Sequence, residues 1–143
     1  MANSIYVALK KIPSGLSDVE KIISSAFSEF GFENPLIKFN RNLHDEDLLK
    51  DFLQIEGKKE ENQCWISFDE CIEDIYECEN CKYIINIQTR GNWYFAGIVA
   101  YAFCKFSGNI VLNDAAELDG RLSYNLEDLK LILKNYWADR FQS

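Results

Sequence analysis

Basic residues are scarce in this sequence. Lys and Arg number 15 against 23 Asp and Glu, a formal net charge of −8 with a pI near 4.7. Nucleic-acid binders neutralise phosphates with Lys and Arg, so this balance argues against nucleic acid as a partner. It equally disfavours an anionic membrane surface. Long apolar runs are missing too: the longest, Trp93 to Cys104, falls short of the about 20 residues that a membrane-spanning helix needs. The first residues lack the basic start and apolar run of a signal peptide and read as a strand. The expectation is a cytoplasmic protein, and its five cysteines then read as reduced thiols. An odd count also disfavours a complete disulfide framework. Histidine occurs once, at His44, and no glycine pair has the spacing of a phosphate loop or a dinucleotide fingerprint.

What is present is a globular composition, 48% apolar and 27% charged. The 143 residues match a single domain, residues 1–143, long enough to bury a core without disulfides or a structural metal. Ile5, Val7 and Leu9 alternate along a first strand. Ser17-Asp18-Val19-Glu20 has the form of a capping box, followed by Val19, Ile22, Ile23, Ala26, Phe27 and Phe30 at helical spacing and by Gly31 as a stop. Pro35 to Phe39 reads as a strand. Asp45 is placed as the cap of a second helix, carrying Leu48, Leu49, Phe52 and Leu53 inward and ending near Gly57. Gln63 to Phe68 reads as a strand and Ser67-Phe68-Asp69-Glu70 as a second capping box. A helix after it would gather Phe68, Ile72, Ile75 and Tyr76 in one stripe. Tyr83 to Thr89 is an inner strand. Asn92 caps a helix, Trp93 to Phe106, that is apolar nearly all round and therefore central. Ile110 to Leu112 and Arg121 to Tyr124 are short strands, and Asn125 caps a last helix. The fold class expected is α+β (or α/β), with a mixed sheet of about five to six short strands and helices packed on it.

Four cysteines, Cys64, Cys71, Cys78 and Cys81, lie close together, but C-x6-C-x6-C-x2-C is not a zinc-ribbon spacing. On a helix, Cys71 and Cys78 would be roughly 10 Å apart, whereas thiolates sharing a zinc must lie about 4 Å apart. No metal or cofactor is expected. Cys78 and Cys81 follow a predicted helix rather than opening one, so the helix end, with Glu77 and Glu79 beside it, opposes a reactive thiolate.

The carboxylates carry the strongest signal. Asp69, Glu70, Glu73, Asp74, Glu77 and Glu79 place six acids in eleven residues with no base among them. On a helix, like charges at i,i+4 repel by a few tenths of a kcal/mol per pair, an opposition that a basic partner would reverse. These six residues are the candidate partner-binding site. Smaller acidic sets lie at Asp45, Glu46, Asp47 and Asp51 and at Asp114, Glu117 and Asp119. Trp93-Tyr94-Phe95 reads as a core anchor or, alternatively, as an interface hot spot.

The stretch from Gly91-Asn92-Trp93-Tyr94-Phe95-Ala96-Gly97 through Ser107-Gly108-Asn109-Ile110-Val111-Leu112-Asn113-Asp114 sends a buried helix into a short strand ending in Asn-Asp. In that local pattern, and as a compact acidic domain without a catalytic motif, the chain resembles bacterial immunity proteins. These are the antitoxins that neutralise polymorphic or contact-dependent growth-inhibition toxins. The resemblance implies a cognate toxin domain as partner, often a basic nuclease, and no enzymatic activity. Two other readings stand beside it. One is a small cytosolic enzyme using His44 or the loop acids near Asp114. The other is an acidic scaffold or phosphate-mimicking protein that binds another basic protein.

Overall fold

The computed structural model describes residues 4–39, 52–70, 82–113 and 123–141. In chain order these form β1 (Ser4–Leu9), α1 (Leu16–Glu29), β2 (Leu36–Phe39), β3 (Leu53–Glu56), β4 (Gln63–Glu70), β5 (Tyr83–Thr89), α2 (Trp93–Ser107), β6 (Gly108–Asn113), β7 (Ser123–Tyr124) and α3 (Leu126–Phe141). The strands make one seven-stranded sheet in the order β2-β3-β4-β5-β1-β6-β7. The α+β class is as expected, but the sheet is not mixed. Every paired neighbour is antiparallel.

The reason is the placement of β1. Strand β5, helix α2 and strand β6 follow one another as in a crossover, and β5 and β6 run the same way, since both are antiparallel to β1. β1 inserts between them and pairs antiparallel with both, Val7 opposite Ile85 on one side and Val111 on the other. The unit is a split βαβ. A crossover read from sequence suggests a parallel pair, but the inserted strand converts it into two antiparallel ones. β2 to β5 form a simple meander.

Side chains alternate across the sheet as the pleat requires. Ile5, Val7, Leu9, Leu53, Ile55, Cys64, Ile66, Phe68, Ile85 and Ile87 are all buried on the helix-covered face. α2 lies against β1, β4, β5 and β6, and α1 and α3 pack on α2. Sandwiched in this way, α2 buries the whole run Phe95 to Cys104, with Gly97 included, which is why its sequence is apolar all round. Ring contacts join the layers: Phe68 meets Phe103 edge-on at 5.5 Å, Phe27 meets Phe95 at 5.3 Å and Phe30 meets Tyr101 at 5.3 Å. Among the described residues, no helix is long and apolar enough to cross a membrane.

The caps divide. Asn92 does cap α2: its Oδ1 accepts from the Tyr94 N–H at 2.8 Å, and its Nδ2 donates to the Tyr136 hydroxyl at 3.1 Å. Asn125 caps α3 through the Asp128 N–H at 2.8 Å. The first capping box fails. α1 begins two residues earlier, at Leu16, with Gly15 in the cap position and no side-chain cap. Asp18 instead reaches back and accepts from both the backbone N–H and the hydroxyl of Ser14. Those bonds, the hydroxyl first, hold the Asp18 carboxyl below its ordinary range. At the other end of the helix, Gly31 adopts φ +82° as a stop requires.

Two larger assignments are corrected. Leu53 lies in strand β3, not in the helix expected to run to Gly57, and it pairs with Phe39 and Ile66. Asp45, Leu48 and Leu49 fall outside the described residues. The second capping box is also strand. β4 continues through Phe68, Asp69 and Glu70, paired on β5 with Ile85, Ile84 and Tyr83. The period-two burial of Cys64, Ile66 and Phe68 runs straight through the motif. A four-residue string that suits a helix start is outweighed by a ladder of backbone bonds and a phenyl ring seated against Phe103.

Candidate functional site

The six predicted site residues are reached through β4. Asp69 and Glu70 are exposed at its last two positions, and neither forms an ion pair among the described residues. Glu73, Asp74, Glu77 and Glu79 lie outside the described residues. Glu70 pairs with Tyr83, so the chain between them leaves and re-enters the sheet at points about 5 Å apart. The helical ridge expected from position 69 is displaced in part, because Asp69 and Glu70 belong to a strand on which successive side chains point to opposite faces.

The same end of the sheet carries bases that the sequence did not place there. β1 pairs Leu9 with Tyr83, which brings exposed Lys10 and Lys11 beside exposed Lys82. The Lys11 ammonium sits over the Phe106 ring, 5.0 Å from its centre. The sheet end at which Asp69 and Glu70 are exposed therefore carries three lysines as well, so the charge there is mixed rather than uniformly acidic. No feature of local sequence could have shown this, since Lys10 and Lys82 are distant in the chain.

A second, half-buried feature lies on the face of the sheet opposite α2. Trp65 stacks on Phe52 at 4.8 Å, and the Arg90 guanidinium lies 3.7 Å over the indole. Phe52, Trp65, Ser67 and Gln88 border a cavity of about 220 Å³ there. Trp93-Tyr94-Phe95, by contrast, serves packing. Phe95 is buried, Trp93 and Tyr94 are packed against the core, and the Tyr94 ring stacks on Tyr136 at 3.6 Å.

Of the cysteines, Cys64 and Cys104 are free and buried. Burial raises both thiols above their ordinary range, Cys104 up to about 11 and Cys64 further. Neither is a nucleophile at neutral pH. Cys71, Cys78 and Cys81 lie outside the described residues, as do His44, the acids at Asp45 to Asp51, and Asp114, Glu117 and Asp119. No three His, Cys, Asp or Glu side chains converge as a metal site among the described residues. No protein-family model, curated protein or solved structure matches this chain.

Proposed function

We propose that this is a cytoplasmic binding protein of the immunity type, without enzymatic activity, which neutralises a basic, nuclease-type toxin domain through the acidic segment from Asp69 to Glu79. The observation that carries this reading is the exposed end of β4, where neither acid is ion-paired among the described residues. There Asp69 and Glu70 are exposed, and in sequence they open a run of six carboxylates without a base. A positively charged partner would be drawn to it from solution and would relieve the repulsion among the acids. Lys10, Lys11 and Lys82 flank the segment and would set the register by excluding partners with bases at the wrong positions.

The test is kinetic, with the product of the neighbouring reading frame as the partner. Association should be fast and should weaken with salt. The triple variant Glu70→Lys, Asp74→Lys, Glu77→Lys should slow association by about 10-fold or more at low salt, flatten its salt dependence and leave the circular dichroism unchanged. Unaltered association by the folded triple variant would refute the acidic interface. A neighbouring product that is neither toxic nor bound would refute the immunity role.

A further inference from the structure

At the opposite end of β4 from Asp69 and Glu70, roughly 20 Å away at the rise of a strand, a cavity of about 250 Å³ opens between the α1–β2 connection and the β3–β4 turn. Phe27, Phe32, Pro35 and Phe95 form its apolar wall, and Asn62 lines one side. Phe27 and Phe95 hold each other at 5.3 Å, and Phe27 and Phe32 at 6.0 Å, so three phenyl rings are fixed around the space. An apolar cavity of about 150 Å³ holds a benzene, so this one has room for a fused bicyclic ring.

Two polar groups mark where such a ring would be anchored. Asn62 is only 7% exposed. Its main chain is engaged on both sides, the N–H donating to the Lys59 carbonyl at 2.9 Å and the carbonyl accepting from the Gly57 N–H at 2.7 Å. Its side-chain Oδ1 has no hydrogen-bond partner. Buried acceptors without a donor are few in folded proteins and call for an explanation; here the acceptor belongs to a residue on the cavity wall. The second group is Lys59, exposed at the rim. Its neighbour Lys58 is already paired with Glu33 across that rim, whereas Lys59 makes no ion pair among the described residues.

We propose that this cavity binds a small planar heteroaromatic carboxylate, with the ring among Phe27, Phe32 and Phe95, the Asn62 side chain turning so that its Oδ1 accepts from a ring N–H, and the carboxylate at Lys59. Each feature of the ligand answers one feature of the site: flat apolar area for the phenyl walls, a donor for the orphaned acceptor, an anion for the exposed Lys59 ammonium. The site is separate from the acidic segment, and neither reading depends on the other.

Indole-3-carboxylate is the probe, titrated into the ¹⁵N-labelled protein and followed by amide shifts and calorimetry. Saturable binding is expected with a Kd on the order of 0.1–1 mM, as suits about a dozen heavy atoms. The shifts should centre on the amides of Phe27, Phe32, Gly57, Asn62 and Phe95. 1-Methylindole-3-carboxylate, which lacks the N–H, and indole, which lacks the carboxylate, should each bind about fivefold or more weakly. Lys59→Gln should weaken the acid without affecting indole. Asn62→Ala should abolish the preference over the methylated ring. If that variant does not fold, the comparison of the two ligands on the unaltered protein decides the same point. The proposal is overturned by no saturable shift at 10 mM probe, by shifts centred elsewhere, or by equal affinity for all three compounds.

Discussion

Replacing Gly91 with alanine should be among the most damaging single-methyl changes in this protein. A Cβ at Gly91 would lie 2.0 Å from the Glu61 carbonyl oxygen and 2.8 Å from its carbon, whereas real Cβ contacts essentially never fall below 3.0 Å. The carbonyl would have to retreat by about 1 Å. It cannot do so freely, because the same oxygen accepts the Asn92 N–H at 2.7 Å. That bond ties the β3–β4 turn to the residue that caps α2. Overpacking of this kind destabilises by about 1–3 kcal/mol, and weakening the bond adds about 1 kcal/mol. The sum is about 2–4 kcal/mol, a large share of the 5–15 kcal/mol typical of a domain. With a urea m-value of about 2 kcal/mol/M, the midpoint should fall by about 1–2 M. Gly31→Ala is the internal comparison. There φ is +82° and nothing lies within 4 Å of the added methyl, so only the left-handed backbone is penalised, by about 1 kcal/mol. Urea unfolding should therefore rank Gly91→Ala well below Gly31→Ala. If Gly31→Ala proved the more damaging, the close approach of the turn to Gly91 would be refuted.

Two further predictions concern ionisation. Glu29 receives Lys130 at 3.3 Å and Lys105 at 3.8 Å. Burial pushes its carboxyl up, but the Tyr101 hydroxyl and the two lysines outweigh this and hold it below the ordinary value. A lowered acid contributes stability above its unfolded pKa and loses it as pH falls through the folded one, so Glu29→Gln should destabilise by under about 1 kcal/mol at pH 7 and by progressively less as the carboxyl is protonated in acid. Destabilisation that does not shrink with falling pH in thermal melts would exclude the ion-pair account. The Cys104 thiol, raised by burial from about 9 to about 11, binds its proton more tightly folded than unfolded. Stability should therefore fall as pH rises from 9 to 11, and less steeply in Cys104→Ala. At pH 8, site-resolved alkylation of Cys64 and Cys104 should proceed only through unfolding, and modification at the unfolded rate would contradict their burial.

Helix α2 shows what local sequence carries. Its cap Asn92, its uninterrupted apolar run and its end before Gly108 are all properties of neighbouring residues, and its central position follows because an all-apolar helix has no face for water. The strand β1 was legible in the same way, from alternation, and β5 was legible as an inner strand. The end of β4 was not. Ser67 to Glu70 satisfies a helix-start pattern, and only pairing with β5 and the contact of Phe68 with Phe103 decide for strand. Leu53 is a similar case: apolar spacing suited a helix, while pairing on both sides makes it the middle of a meander.

Charge divides along the same line. That Asp69 to Glu79 is acidic and lacks bases is fixed by the chain itself, because it is a count over consecutive residues. That Lys10 and Lys11 stand at the same sheet end was decided by the insertion of β1 between β5 and β6. The cavity beneath Phe32 likewise draws its wall from α1, α2 and two connections, so none of its parts announces the others in sequence. Local propensities act over a few residues and can be read there. A sheet's strand order is set by which buried faces complete one core, and that is a property of the whole chain.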